Sequence, residues 1–233
     1  MYDLGGLVYL DLNKTGSKFV LEFLKNCCRL DFQHEKEHEP VRDQYNPLAY
    51  HFITIRHPIS QYSSLFRYGL EKKGWIYRRI AEHGHKDLYS SENYNAWLSF
   101  VLDQKNAPLL GEGYEKLPKN SDLGFLSFRF FCLSQVFPHK ILQLYQGFSD
   151  PVSVAIRGSI IDHVIKNEEL NSGLERLAVE LKPELFYQDM VEKFFKDAPK
   201  VNVSNAKEKD IEPINKQNRE IIEKKEYLLL DFY

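Results

Sequence analysis

The sequence predicts an α/β fold, a single domain in which a central, mainly parallel sheet is flanked by helices. Three observations carry that expectation. Short apolar runs rich in β-forming residues stand at 6–12 (GLVYLDL), 50–55 (YHFITI) and 160–165 (IIDHVI). Stretches with the three-to-four-residue apolar spacing of amphipathic helices alternate with them, the pattern of strand–helix–strand crossovers. The length, 233 residues, favours one large domain over two when a typical domain runs to about 150.

The elements follow in order. The run 6–12 is a strand by composition, and 17–30 reads as a helix because Phe19, Val20, Phe23, Leu24 and Cys27 fall on one helical face. Residues 31–46 are polar and acidic and carry His34 and His38. The run 50–55 is a second buried strand. It stops at Arg56-His57-Pro58, and a helix at 61–70 follows, with Pro58 where a helix start tolerates proline. The middle holds a helix at 94–102 and a loop rich in Gly, Pro and Asn, so 75–120 reads as an insertion on the substrate side. The aromatic run 124–137 (GFLSFRFFCLSQVF) reads as buried helix, with a strand as the alternative. Residues 160–165 supply a third strand and 170–181 and 183–195 two more helices. A polar loop at 197–213 leads into a charged helix at 215–229.

Charge and composition exclude several classes. Lys plus Arg number 31 against 33 Asp plus Glu, a net charge of −2, which argues against a broad basic face for a nucleic-acid polymer. Any anion site must be local. Hydrophobic residues at 43% and aromatics at 14% are more than a disordered chain carries. Three cysteines, two of them adjacent as Cys27 and Cys28, make neither a disulfide framework nor a C-x-x-C zinc site, and a reducing, cytoplasmic setting fits them. Residues 1–16 lack the cationic start and apolar run of a signal peptide, and no window reaches the roughly 20 apolar residues of a membrane span.

In sheets of this kind ligands sit at the carboxyl ends of strands, which singles out two turns. Asn13-Lys14-Thr15-Gly16-Ser17-Lys18 joins the first strand to the first helix, where backbone N–H groups and the helix dipole favour an anion. Gly16 lets the backbone approach closely, Thr15 and Ser17 carry hydroxyls, and Lys14 and Lys18 carry cations. The turn is P-loop-like without being a Walker A loop, which would need glycine at position 11 and lysine at 17, where Asp11 and Ser17 stand. An ordinary capped helix start is the competing reading. In the second turn Arg56 ends a strand and Ser64 lies eight positions on, so both can converge on one anion, Arg56 as a bidentate fork. The competing reading leaves Arg56 in solvent and Ser64 on a helix surface.

Lys14-Thr15-Gly16-Ser17, followed by a strand ending Arg56-x-Pro58 with Ser64 beyond it, resembles the sulfotransferases that use 3′-phosphoadenosine 5′-phosphosulfate. Asn13 stands where the family commonly has proline, Lys18 where it has threonine or serine, His57 where it has an acidic or amide residue, and Gln61 where it has a second arginine. Residues 162–170 (DHVIKNEEL) are similar to the family's strand-to-helix junction, and 201–204 (VNVS) with 219–233 to its C-terminal region. The resemblance implies the sulfotransferase fold, a phosphosulfate held by Lys14, Thr15, Gly16, Ser17 and Lys18, and a 3′-phosphate held by Arg56 and Ser64. It implies no metal, and a carbohydrate or other hydroxyl-bearing acceptor.

Sulfuryl transfer needs a cation at the leaving oxygen and a base at the acceptor. The resemblance gives Lys14 the first role. For the base, relatives commonly use His or Glu between the two loops, and here His38 is favoured over His34, with Glu37 and Glu39 as further candidates. His51 and His57 read as packing or capping residues. His83 and His85 lack the third ligand of a zinc site. The basic stretch of Lys72, Lys73, Arg78 and Arg79 suits either an anionic acceptor or a solvated helix face. Arg129, amid apolar neighbours, needs a partner, either a bound acceptor or a buried salt bridge. A nucleotide-dependent phosphotransferase and a non-catalytic binding protein of the same fold are the alternatives to a sulfotransferase.

Overall fold

The computed structural model describes residues 1–117, 121–138, 140, 158–197 and 211–233. In chain order the elements are β1 (Tyr2–Asp3), β2 (Leu7–Leu10), α1 (Ser17–Cys27), β3 (His34–Glu35), β4 (Tyr50–Ile55), α2 (Pro58–Leu70), α3 (Trp75–Glu82), α4 (Tyr94–Leu102), α5 (Ala107–Leu110), α6 (Phe125–Ser134), β5 (His163–Lys166), α7 (Leu170–Arg176), α8 (Gln188–Lys196), α9 (Lys216–Lys225) and α10 (Tyr227–Leu230). They fall into two compact units, Met1–Arg56 with Phe131–Val203, and His57–Phe130 with Ser204–Tyr233.

The first unit is built on a five-stranded sheet in the order β3-β1-β2-β4-β5. β2, β4 and β5 run parallel, with Tyr9 opposite Phe52 and Phe52 opposite His163. β1 is antiparallel to both β2 and β3. The sheet is therefore mixed rather than mainly parallel, which corrects the expectation from sequence. The cause is local. Gly5, at φ 83°, turns the chain back so that the Leu4 N–H donates to the Leu7 carbonyl at 2.9 Å, and the Asp3 carboxylate accepts the Gly5 N–H at 2.7 Å. A glycine pair is a hairpin signal, but strands of two residues leave no periodicity to read.

β2 and β4 are buried along almost their whole length, which explains why their runs are apolar throughout rather than alternating. On one face Leu7, Tyr9, Phe52 and Ile165 pack against Phe19, Val20, Phe23, Leu24 and Cys27 of α1 and against Leu174, Leu177, Phe186, Val191 and Phe194. Tyr9 stacks on Phe52 at 5.0 Å, and Phe23 meets Phe194 edge-on at 5.4 Å. Each such side chain contributes about 1.5–3 kcal/mol on burial, so this layer fixes where α1 lies and hence the turn that precedes it. The third strand begins at His163 rather than 160, and α7 passes into a π-helical turn, Leu177–Leu181.

The second unit is helical and its core is aromatic, Phe66 lying 5.1 Å from Tyr94 and 5.3 Å from the buried Trp97. α2 begins at Pro58, earlier than the spacing of apolar residues predicts, with the proline in its first turn. Glu226 is fully buried in this unit. Its carboxylate accepts the Tyr62 hydroxyl and the Ser127 N–H, each at 2.6 Å, and the Leu126 N–H at 3.3 Å, so it satisfies amides in the first turn of α6. Burial holds its carboxyl above the usual carboxylate range. The stretch 75–117 supplies α3, α4 and α5 of this unit. Residues 201–204, which carry part of the C-terminal resemblance, lie outside the described residues. Among the described residues no helix is long and apolar enough to cross a membrane.

Candidate functional site

The turn from β2 to α1 stands at the carboxyl ends of three parallel strands. Two of its residues have left-handed backbone, Lys14 at φ 65° and Gly16 at φ 99°. At Gly16 glycine is required twice over, since a Cβ there would also lie 2.7 Å from Leu170 Cδ2 and 2.8 Å from Asn167 Nδ2. Asn167, the first residue after β5, donates through Nδ2 to the Thr15 carbonyl at 3.0 Å. The turn is thus pinned to the strand beyond its neighbour. No side chain caps α1, whose first turn instead starts from the Gly16 carbonyl, accepting Phe19 N–H at 2.9 Å.

The hydroxyls of the turn face inward. Thr15 is buried and its Oγ1 donates to the Leu12 carbonyl at 2.6 Å. It also lies 2.8 Å from Thr54 Oγ1, which is 2.7 Å from the Tyr9 hydroxyl. One proton per hydroxyl fixes the direction: Thr15 gives its own to a carbonyl, so it accepts from Thr54, and Thr54 accepts from Tyr9. Burial holds the Tyr9 phenol well above its ordinary value. Ser17 Oγ donates to Asp11 Oδ1. Both hydroxyls donate within the protein, and around them the turn offers an anion its backbone N–H groups, the helix dipole and the cations Lys14, half-buried, and Lys18, exposed.

Asp11 is the carboxylate of the turn, with its side chain 1% exposed and His38 Nδ1 3.0 Å from its Oδ2. The same ring nitrogen is 3.1 Å from the Asp11 carbonyl oxygen. His38 is itself left-handed, at φ 58°, a conformation that costs a residue with a side chain roughly 1–2 kcal/mol and persists where surroundings enforce it. His34 is placed differently. It lies on β3, two strands from β2, with Nε2 2.8 Å from Glu39, whose other oxygen takes Lys36 Nζ at 2.8 Å. The Lys36 hydrogen bond, aided by that from His34, holds the Glu39 carboxyl below its usual range against the opposing effect of burial. Of the two histidines, the structure brings His38 to the turn and leaves His34 in an edge cluster with Glu39.

Arg56, half-buried, follows β4 and closes the first unit, while Ser64, half-buried, lies on α2 in the second. The Arg129 side chain is 3% exposed and Nη1 donates to Glu112 at 2.7 Å, the salt bridge weighed above against acceptor binding. His51 is buried in β4, its N–H bonded to the Asp162 carboxylate at 2.7 Å, and desolvation pulls its imidazole below the ordinary value. His57 meets the Tyr233 ring at 5.2 Å. His83 donates from Nδ1 to the Arg79 carbonyl at 2.7 Å, and His85 lies 4.8 Å from Phe100.

Asp11 and Thr54 belong to the site without belonging to any motif, and Asn167 lies in the stretch 162–170 without having been singled out there. A signal existed for Thr54, a polar residue in an otherwise apolar strand that must find a partner. Asp11, a carboxylate in an apolar run, carried the same signal. Compared with known proteins, the chain matches no family model, no curated protein and no solved structure.

Proposed function

We propose that the chain is a sulfotransferase that moves the sulfuryl group of 3′-phosphoadenosine 5′-phosphosulfate to a hydroxyl of a carbohydrate acceptor, with His38 as the base. The observation that supports this best is the junction of turn and histidine, where the Asp11 carboxylate touches both Ser17, the first residue of α1, and His38. An anion-favouring helix start and a group able to take a proton are thereby adjacent. In the reaction the acceptor oxygen forms a bond to sulfur as the bond from sulfur to the 5′-phosphate oxygen breaks. The acceptor proton passes to His38, and Lys14 stabilises the charge left on the phosphate. Amides around Gly16 and the Lys18 ammonium hold the phosphosulfate. Arg56 takes the 3′-phosphate, the role that the resemblance gives it together with Ser64. The carbohydrate acceptor rests on resemblance to the polysaccharide-modifying branch of the family.

Titration calorimetry with 3′-phosphoadenosine 5′-phosphate, and transfer of labelled sulfate to a panel of oligosaccharides, test the proposal. Lys14→Ala is expected to lower kcat by about 100-fold or more with nucleotide binding changed only a few-fold. Undiminished turnover in that variant would remove Lys14 from the mechanism. Turnover of magnesium-ATP in place of the phosphosulfate would replace the reading with the phosphotransferase one, and tight nucleotide binding with no turnover would leave a binding protein.

A further inference from the structure

His38 Nδ1 donates to the Asp11 carbonyl at 3.1 Å, and the Asp11 carboxylate oxygen Oδ2, buried without a hydrogen-bond partner of its own, lies 3.0 Å from the same nitrogen. We infer that Asp11 is the positioning residue of the site: it fixes the imidazole in the tautomer protonated at Nδ1, makes Nε2 the basic nitrogen, and ties that base to the β2–α1 turn. The catalytic part of this inference rests on the proposed role of His38, and the tautomer does not.

A lone pair on Nδ1 would point at the Asp11 carbonyl with a carboxylate oxygen beside it, so only an N–H fits there, and the neutral ring then carries its lone pair on Nε2. When Nε2 takes a proton, the cation forms beside a carboxylate that is 1% exposed, where water screens the attraction least. An aspartate at Nδ1 serves a histidine base in this way in serine hydrolases, by holding tautomer and orientation and stabilising the imidazolium. Other carboxylates near His38 in sequence are engaged differently, Glu39 by His34 and Lys36. The other oxygen of Asp11 accepts from Ser17, which opens α1. Base and anion turn therefore share one carboxylate, and a movement of the turn on binding its ligand carries the base with it.

The test is nuclear magnetic resonance of the intact protein with isotope-labelled histidine, His38→Gln serving to assign the His38 ring. At a pH above its titration the wild-type ring is expected as the Nδ1–H tautomer, and an Nε2–H tautomer overturns the inference. Asp11→Asn keeps the shape and removes the charge. Its His38 is expected to bind a proton about tenfold more weakly, with kcat for sulfuryl transfer lower by about 100-fold and KM for the nucleotide within a few-fold. An unchanged titration midpoint refutes the role of the carboxylate. An Nε2–H tautomer in the wild-type protein overturns the inference even where Asp11→Asn does not fold. A wild-type protein that shows the tautomer but transfers no sulfuryl group refutes the proposed function and leaves the pairing of Asp11 with His38 standing.

Discussion

Replacing Gly16 with alanine places a Cβ on a backbone at φ 99°, 2.7 Å from Leu170 Cδ2 and 2.8 Å from Asn167 Nδ2. Left-handed backbone costs a residue with a side chain roughly 1–2 kcal/mol, and overpacking against two side chains adds typically about 1–3 kcal/mol. Alanine also restricts the unfolded chain, which offsets about 0.4–1 kcal/mol. The net is a destabilisation of about 1–5 kcal/mol, centred near 3. At a urea slope of about 2 kcal/mol per molar, the central value lowers the unfolding midpoint by about 1.5 M with the slope unchanged. Asn167 must move to admit the methyl group, and with it goes its hydrogen bond to the Thr15 carbonyl. Affinity for 3′-phosphoadenosine 5′-phosphate, followed by calorimetry, is expected to fall by about tenfold or more as the turn loosens. A midpoint within about 0.2 M of wild type would show that the turn does not hold Gly16 left-handed against Leu170 and Asn167.

The remaining predictions concern buried polar groups. Thr54→Val keeps the shape but removes the hydroxyl that links Tyr9 to Thr15 and is expected to cost about 1–3 kcal/mol in urea denaturation. Thr54→Ser, which keeps the hydroxyl, should cost less, and the reverse ranking would contradict the row of hydroxyls. Burial holds the Glu226 carboxyl above 4.5, so the folded protein keeps a proton that the unfolded chain releases, and this group's contribution falls as pH rises from 4.5 toward the raised value. Glu226→Gln should flatten that slope in a pH series of urea midpoints, and should cost about 1–3 kcal/mol because one amide of α6 loses its acceptor. Burial holds His51 below 6.5, so the unfolded chain takes up a proton that the folded protein refuses, and stability is lost as pH falls below 6.5. His51→Phe should remove that acid-side loss, and a variant with the wild-type pH profile would assign it elsewhere.

The parallel part of the fold was legible because β2 and β4 are buried on both faces and read as unbroken apolar runs, and because α1 repeats its apolar residues on one face. The antiparallel part was not. β1 and β3 have two residues each, too few for any period, and only Gly5-Gly6 marked the reversal. The turn from β2 to α1 was visible in Lys14-Thr15-Gly16-Ser17, since glycine between strand and helix is a local signal. What fastens that turn was invisible, because Thr54, Asn167 and His38 come from distant stretches of chain and meet it only through the parallel register. The direction of the Thr15 and Ser17 hydroxyls was not legible for the same reason: a sequence shows that a hydroxyl exists, and only its neighbours decide where its proton goes.

A row of hydroxyls that ends on an amide carbonyl is a dead end for protons. Tyr9, Thr54 and Thr15 pass their hydrogens one way, toward Leu12, and a carbonyl oxygen has none to send back. Along this row hydrogens pass one way, so the Leu12 end offers the Tyr9 phenol no route for taking up a proton.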